Sequence, residues 1–336
     1  MSSNTSRRDF LKKIAVTGAA VASAGGVTAL AQEPKPGATI PRRRLGRTGS
    51  DVAILGLGLG SAYTKPFGDR PEEAEELLHR ALGYGINYWD TARIYANSEV
   101  LIGPVVEKVR DQIFLVSKSQ SRSYDGFKAD LETSLKNLRT DHLDIYHIHL
   151  LDPAKDTDLD LIENGAVKAA REAKEEGIIK NFGVTGHSDP GILMDGIRRW
   201  DPDAILTIFP ADRPVNGSYE DEVLPLALEH DMGVIAMKAV RRARETDWPA
   251  PQLIRYAMSL PGIATTIVGL DSIAHLDENA AMAANFEPLT SNQMAEMSQI
   301  VQSELVGLGT APWDRPGYQD GVPGIPGITD KNGPYV

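Results

Sequence analysis

The chain contains no cysteine in 336 residues. That excludes disulfide bonds, a thiolate nucleophile, iron–sulfur ligation and a lipid-modified cysteine, so stability has to come from packing alone. Basic charge is also scarce. Thirty-five Lys and Arg stand against 46 Asp and Glu, for a formal net charge of −11. Phosphate backbones are held by basic stripes, so nucleic acid is not an expected partner. Long apolar runs are missing too. The stretch from Ile14 to Leu30 is interrupted by Thr17, Gly18, Ser23, Gly25, Gly26 and Thr28, which leaves it too weakly apolar for a stable membrane anchor. What is present is 42% hydrophobic residues, enough to bury a large core.

Ahead of that stretch, Ser6-Arg7-Arg8-Asp9-Phe10-Leu11-Lys12 carries paired arginines, and Ala29-Leu30-Ala31 offers small residues for cleavage. Charge, apolar run and cleavage site in this order resemble a twin-arginine export signal. Residues 1–31 are therefore expected to be a targeting segment rather than part of the fold. The resemblance implies the twin-arginine translocation machinery as a partner and a periplasmic or otherwise exported location. Removing Arg7, Arg8, Lys12 and Lys13 with only Asp9 leaves a remainder more acidic than the whole. Residues 32–41, with Pro34, Pro36 and Pro41, read as a linker. Residues 310–336, rich in Pro and Gly but carrying Trp313, Tyr318 and Tyr335, read as either a disordered tail or a flap over the active site.

Between these ends, short apolar β-type runs alternate with amphipathic stretches. The strand candidates are Val52 to Gly58, Ile86 to Asp90, Ile113 to Lys118, Leu143 to His149, Asn181 to Thr185, Ala204 to Phe209, Gly233 to Lys238 and Thr265 to Val268. Helices are expected over Pro71 to Leu82, Asp125 to Leu138, Ala166 to Glu176, Glu220 to Glu229, Pro251 to Ser259 and Ser272 to Ala284. Proline opens the first of these, and Gly83 and Gly85 stop it. Eight strand–helix pairs imply an α/β fold, a closed (β/α)8 TIM barrel over residues 42–309, with its working loops at the C-terminal strand ends. Arg42 to Ser50 reads as a small hairpin before the barrel and Ser291 to Leu305 as an extra helix after it.

The second, third and fourth strand candidates end in Asp90, Lys118 and His149, and Tyr95 follows Asp90 by five residues. Consecutive strands are neighbours in a barrel, so the four side chains converge on one mouth. A phenol donates its proton poorly at neutral pH until a cation lies beside it, and a buried ammonium needs a carboxylate to stay charged. Lys118 between Asp90 and Tyr95 meets both conditions. The chemistry suited to such a donor is protonation of a carbonyl oxygen as hydride reaches the carbon, with histidine orienting the carbonyl.

Asn87-Tyr88-Trp89-Asp90-Thr91-Ala92-Arg93-Ile94-Tyr95, Val116-Ser117-Lys118, Asp144-Ile145-Tyr146-His147-Ile148-His149 and Gly183-Val184-Thr185 resemble the aldo-keto reductase superfamily over about Arg43 to Ile300. The resemblance implies Tyr95 as the acid, Lys118 and Asp90 as the pair that activates it, and His149 as the orienting residue. It also implies a small carbonyl or alcohol substrate and NADP(H), favoured over NAD(H), across the barrel mouth. Gly269 to Asn279 is similar to the family's adenine-binding stretch, with Glu278 and Asn279 at the adenine positions. Gly269, Leu270 and His275 stand where basic residues usually hold the 2′-phosphate. Lys238, Arg241, Arg242 and Arg244 after the seventh strand are a candidate compensating cation source. Thr185-Gly186 replaces the family's Ser-Asn, so a hydroxyl remains for the carboxamide while the asparagine amide is gone.

Two further patterns invite other readings. Gly56, Gly58 and Gly60 imitate a dinucleotide fingerprint, but Tyr63 to Phe67 with Pro66 follows where a phosphate-binding helix should open, so they read as first-strand glycines allowing close approach of a ligand. Asp156, Asp158 and Asp160 imitate the start of a calcium loop without its glycine or final glutamate, and read as a solvated acidic loop. The rival to a reductase is a metal-dependent barrel hydrolase using His147, His149 and His187, since the first two share a strand face and the third ends the next strand.

Overall fold

The computed structural model describes residues 6–16, 39–213, 219–240 and 246–306. Eight parallel strands close into a barrel: β3 (Leu55–Gly58), β4 (Tyr88–Asp90), β5 (Phe114–Ser119), β6 (Leu143–Leu151), β7 (Ile179–Gly186), β8 (Ala204–Ile208), β9 (Gly233–Met237) and β10 (Ile263–Gly269). Neighbours in the chain are neighbours in the barrel, and β10 pairs with β3 to close it. Around it lie α2 (Ser61–Phe67), α3 (Pro71–Gly83), α4 (Ser98–Val109), α5 (Tyr124–Leu138), α6 (Leu159–Ile162), α7 (Lys168–Glu175), α8 (Pro190–Trp200), α9 (Leu224–Glu229), α10 (Ala250–Ser259) and α11 (Ile273–Ala284). This is the TIM barrel expected from the alternating pattern.

The first strand differs from its expectation. Val52 to Gly58 splits into β2 (Asp51–Ala53) and β3, because β2 pairs antiparallel with β1 (Arg42–Arg44) to make the hairpin while only β3 enters the barrel. Four helices around the barrel escaped the sequence reading: α2, which opens directly after Gly60 where none was expected and carries Pro66 internally, α4, which carries Pro104 internally, the single-turn α6, and α8, which opens on Asp189-Pro190 and contains Gly196. None of them presents a long uninterrupted run of strong helix formers. Helix α12 (Ser291–Leu305) follows the barrel as expected, started by a capping box between Thr290 and Gln293.

The arginine-bearing segment was expected to stand apart from the fold. Residues Arg7–Val16 instead form α1, with Phe10 and Ile14 buried. The Phe10 ring lies 5.9 Å from that of Trp248, Arg7 pairs with Asp247 at 3.1 Å and Glu304 at 3.3 Å, and Lys13 pairs with Glu296 at 2.9 Å. A basic amphipathic helix has found an acidic face of α12. The cleavage site, most of the linker and the tail with its aromatics lie outside the described residues. Among the described residues no helix is long and apolar enough to cross a membrane.

Candidate active site

Strand alternation decides which side chains meet inside the barrel. On β5, Ser117 reaches out to Glu99 of α4 and Ser119 to Asp130 of α5, which turns Lys118 inward. On β6, Tyr146 faces out against Phe127 and Ser134 of α5, leaving Ile145, His147 and His149 inside. On β4, the Trp89 indole bonds the carbonyl of Ile86, while Tyr88 stacks on Phe114 at 5.5 Å and Asp90 lies above it on the same inner face.

Above that aromatic floor the polar groups assemble. Lys118 is fully buried, its Nζ 2.5 Å from Asp90 Oδ1 and 2.6 Å from the Thr91 carbonyl. An ammonium removed from water is tolerable only with such partners. The same Nζ lies 4.9 Å from the centroid of the Tyr95 ring, and Tyr95 meets His149 edge-on with centroids 5.6 Å apart. The three residues singled out at strand ends and Tyr95 on the turn after Asp90 are therefore together.

Tyr95 arrives there on a braced turn. Arg93 N donates to the Lys118 carbonyl at 3.0 Å, Ser98 N to the Tyr95 carbonyl at 2.8 Å, and the Ser98 hydroxyl to the Leu59 carbonyl at 2.6 Å. The Arg93 guanidinium holds the buried Glu99, which also accepts from Ser117 and Asn137. Tyr95 itself is only partly buried. By contrast, burial drives the phenols of Tyr63, Tyr88 and Tyr146 well above their ordinary range, which makes them poor proton donors.

Beside Tyr95 opens a cavity of about 720 Å³, including the space open to solvent, walled by Gly58, Gly60, Ser61, Asp90, Lys238 and Gly269 among others. Of the three glycines read as close-approach positions, Gly56 instead faces Tyr88, Thr265 and Ile267 in the barrel interior, whereas a Cβ on Gly60 would meet the Tyr95 ring at 3.4 Å. Lys238 and Gly269, expected on the cofactor side, are on this wall. Ser61, Met237, Ala239 and Val240 were missed; Met237 ends β9 and Ala239 and Val240 follow it closely, which was the available signal, whereas Ser61 opens α2. Arg241, Arg242 and Arg244 lie outside the described residues.

The other expected cofactor contacts are less directly placed. Thr185 is the last but one residue of β7, and its hydroxyl oxygen accepts the amide of Leu150 at 2.8 Å. A side chain on Gly186 would point toward Leu193 of α8. His275, Glu278 and Asn279 lie on α11, with His275 2.5 Å from Asp271 and Asn279 buried. The cavity nevertheless suits a dinucleotide: glycine walls admit a flat group beside Tyr95, Lys238 offers a cation, and α11 begins just beyond Gly269 with the free amides of a helix start.

The metal arrangement does not form. Among the described residues no group of three His, Asp or Glu is placed to hold a metal ion. His147 is fully buried with its ring against the backbone of Gly183, where a Cβ would clash at 2.3 Å. Burial first, then the charges of Lys118 and His149, push its imidazole far below the ordinary histidine range, so it stays neutral. The acidic loop is solvated as expected at Asp158, which caps α6, and at Asp160, which pairs with Arg199, but Asp156 departs from that reading and is buried against Arg122.

A closed parallel barrel with this tetrad at its mouth defines an oxidoreductase class, and comparison with known proteins agrees. The aldo/keto reductase family model matches residues 55–248, and the chain belongs to that family. The oxidoreductase YqkF of Bacillus subtilis is 26% identical over 317 residues, 79% of this chain and 97% of that protein. A solved aldo-keto reductase structure from Pseudomonas aeruginosa is 29% identical, covers 76% of this chain and 98% of its own, and has a TM-score of 0.62. A Klebsiella pneumoniae aldo-keto reductase solved with NADPH shares the fold at 23% identity and a TM-score of 0.65, over 79% of this chain and 96% of that one.

Proposed function

We propose that the protein reduces the carbonyl of an aldehyde, ketone or sugar to an alcohol, or runs the reverse, with a nicotinamide cofactor and Tyr95 as general acid. The observation that carries this is the contact of the Lys118 ammonium with Asp90 on one side and the Tyr95 ring on the other. Gly58, Gly60, Lys238 and Gly269 would hold the cofactor, which when bound would supply or take the hydride at the substrate carbon. The Tyr95 hydroxyl gives the proton to the carbonyl oxygen, completing the alcohol without an exposed alkoxide. Lys118 favours the phenolate left behind, and Asp90 keeps the ammonium charged in a dry site. His149, edge-on to Tyr95, directs the carbonyl oxygen toward the phenol. NADP(H) is the preferred nucleotide in this reading, supported by Lys238 on the cavity wall and by the NADPH found with the Klebsiella protein.

Nucleotide oxidation with a panel of aldehydes, ketones and sugars, run with NADPH and with NADH, tests the activity. Absence of turnover with the whole panel in both directions would sink it. Export by the twin-arginine route belongs to the same proposal, with the cofactor loaded before the folded protein leaves. It rests on Ser6-Arg7-Arg8-Asp9-Phe10-Leu11-Lys12 and requires Arg7 to leave Asp247 and Glu304 for the translocation machinery. Fractionation of cells expressing wild type and the Arg7→Lys, Arg8→Lys variant tests it: an unchanged distribution argues against this route.

A further inference from the structure

The catalytic tetrad does not account for a second charged pair beside it. Arg122 lies on the loop between β5 and α5, and Asp156 on the loop after β6. The guanidinium grips the carboxylate with two bonds, Nε to Oδ1 at 2.7 Å and Nη2 to Oδ2 at 2.8 Å. Its remaining donors go to main-chain carbonyls: Nη1 to His149 at 3.0 Å and to Gln120 of its own loop at 3.3 Å, and Nη2 to Leu150 at 2.7 Å. Asp156 is 7% exposed and also accepts the Asp152 amide at 3.0 Å, so the pair is fixed from both sides.

The backbone they hold is irregular. Pairing between β6 and β7 shifts register between Ile148 and Leu151, and Leu150 adopts φ +59°, left-handed backbone that a leucine rarely takes. Such a conformation persists only where surroundings impose it. Here the Thr185 hydroxyl accepts the Leu150 amide from the β7 side while Arg122 takes the two carbonyls from the β5 side. Arg122 is itself anchored through its own carbonyl, which accepts the Ala166 amide at 2.9 Å. The π-helical turn Glu163–Val167 reaches it only because residue 165 is glycine: a Cβ there would meet the Arg122 oxygen at 2.2 Å. Helix, loop and strand end thus converge on the peptide groups flanking one imidazole.

We propose that Arg122, held by Asp156, is a positioning residue for His149: it clamps the bulge so that the imidazole stands edge-on to Tyr95 at the mouth. The turnover consequence rests on the reductase reading; the geometric consequence does not. Arg122 touches neither reacting group, so its loss should act on kcat through the angle of His149 and leave nucleotide binding nearly unchanged.

The test uses the full chain carrying Arg122→Met, Arg122→Ala or Asp156→Asn. For Arg122→Met, kcat is expected to fall roughly ten- to a hundred-fold, the scale on which small misplacements of a catalytic group act, with the nucleotide Kd changed by less than about two-fold. Added guanidinium ion should restore part of the kcat of Arg122→Ala and none of the wild type's. The imidazole resonances of His149, assigned by their loss in His149→Gln, should shift in Arg122→Met. A kcat per folded molecule within about two-fold of wild type, or unmoved His149 resonances, overturns the proposal. If Arg122→Met does not fold, the same two readouts on Asp156→Asn decide it. If the wild type turns over no carbonyl, the reductase reading falls and the resonances alone decide the positioning role.

Discussion

Replacing Lys118 by Met removes one charge from the centre of the site, and the structure sets the size of the effect. The ammonium is 4.9 Å from the Tyr95 ring centroid. With an effective dielectric of about 20, a unit charge at that distance stabilises a full phenolate by about 3 kcal/mol. If about half to all of that charge has developed in the transition state, the loss is about one to two orders of magnitude in kcat. Stability falls as well, because Asp90, 2% exposed, loses its counter-ion; breaking a buried pair from one side costs about 3–5 kcal/mol. The two consequences separate in the double variant Asp90→Asn, Lys118→Met, where no buried charge is left unpaired. It should regain most of the denaturation midpoint and none of the rate. Chemical denaturation and steady-state kinetics on the wild type, both single variants and the double variant supply the cycle. Recovery of turnover in the double variant, or a single variant as fast as wild type, would refute the argument that the cation acts on the phenol.

Other outcomes follow from neighbouring groups. Tyr95→Phe should lower turnover by several orders of magnitude while tryptophan quenching reports an unaltered NADPH affinity, since the proton is lost and not the binding surface. His147 stays neutral in the fold but takes up a proton near pH 6.5 once unfolded, so its contribution is intact above that pH and erodes below it by up to about 1.4 kcal/mol per pH unit. Denaturation midpoints between neutral and mildly acidic pH should show a shallower decline in His147→Gln than in wild type; equal slopes would contradict it. Phe10→Asp should release α1 and uncover Trp248, read as a red-shifted tryptophan emission, with little change in kcat because α1 packs on α12 and not on the tetrad. A shift in kcat comparable to that of Lys118→Met would place α1 in the active site instead.

The barrel and the tetrad were legible for one physical reason. Asp90, Lys118 and His149 each sit at the end of a short apolar run, and parallel strands in a closed sheet bring consecutive ends together whatever the loops do. Tyr95 was within reach because only five residues separate it from Asp90. Elements whose local signal was interrupted were not legible: Pro104 hid α4, Pro66 hid α2, and the hairpin between Arg42 and Ala53 absorbed the first two residues of the first strand candidate. Contacts set by distant parts of the chain were invisible for a different reason. Nothing near Asp156 announces Arg122, 34 residues earlier, and the acidic run around it reads as solvated until the guanidinium is in place. Nothing near Phe10 announces Trp248 either.

The cofactor side was the least legible because loops and backbone conformation decide it. One lone pair of the Thr185 hydroxyl serves the peptide at Leu150, a demand created by the bulge in the adjacent strand and invisible from Thr185 itself. Lys238 reaches the cavity wall from backbone at φ +58°, a geometry that residue type does not forecast. His275 has its own acid in Asp271, which sets a negative charge beside the position that the family resemblance assigns to a 2′-phosphate. On the function proposed above, nucleotide choice would turn on whether Lys238 outweighs Asp271. Asp271→Asn should tighten NADPH more than NADH, and Lys238→Met should weaken NADPH more than NADH, both read as Kd by tryptophan quenching. Equal effects on the two nucleotides would remove these residues from the 2′-phosphate question.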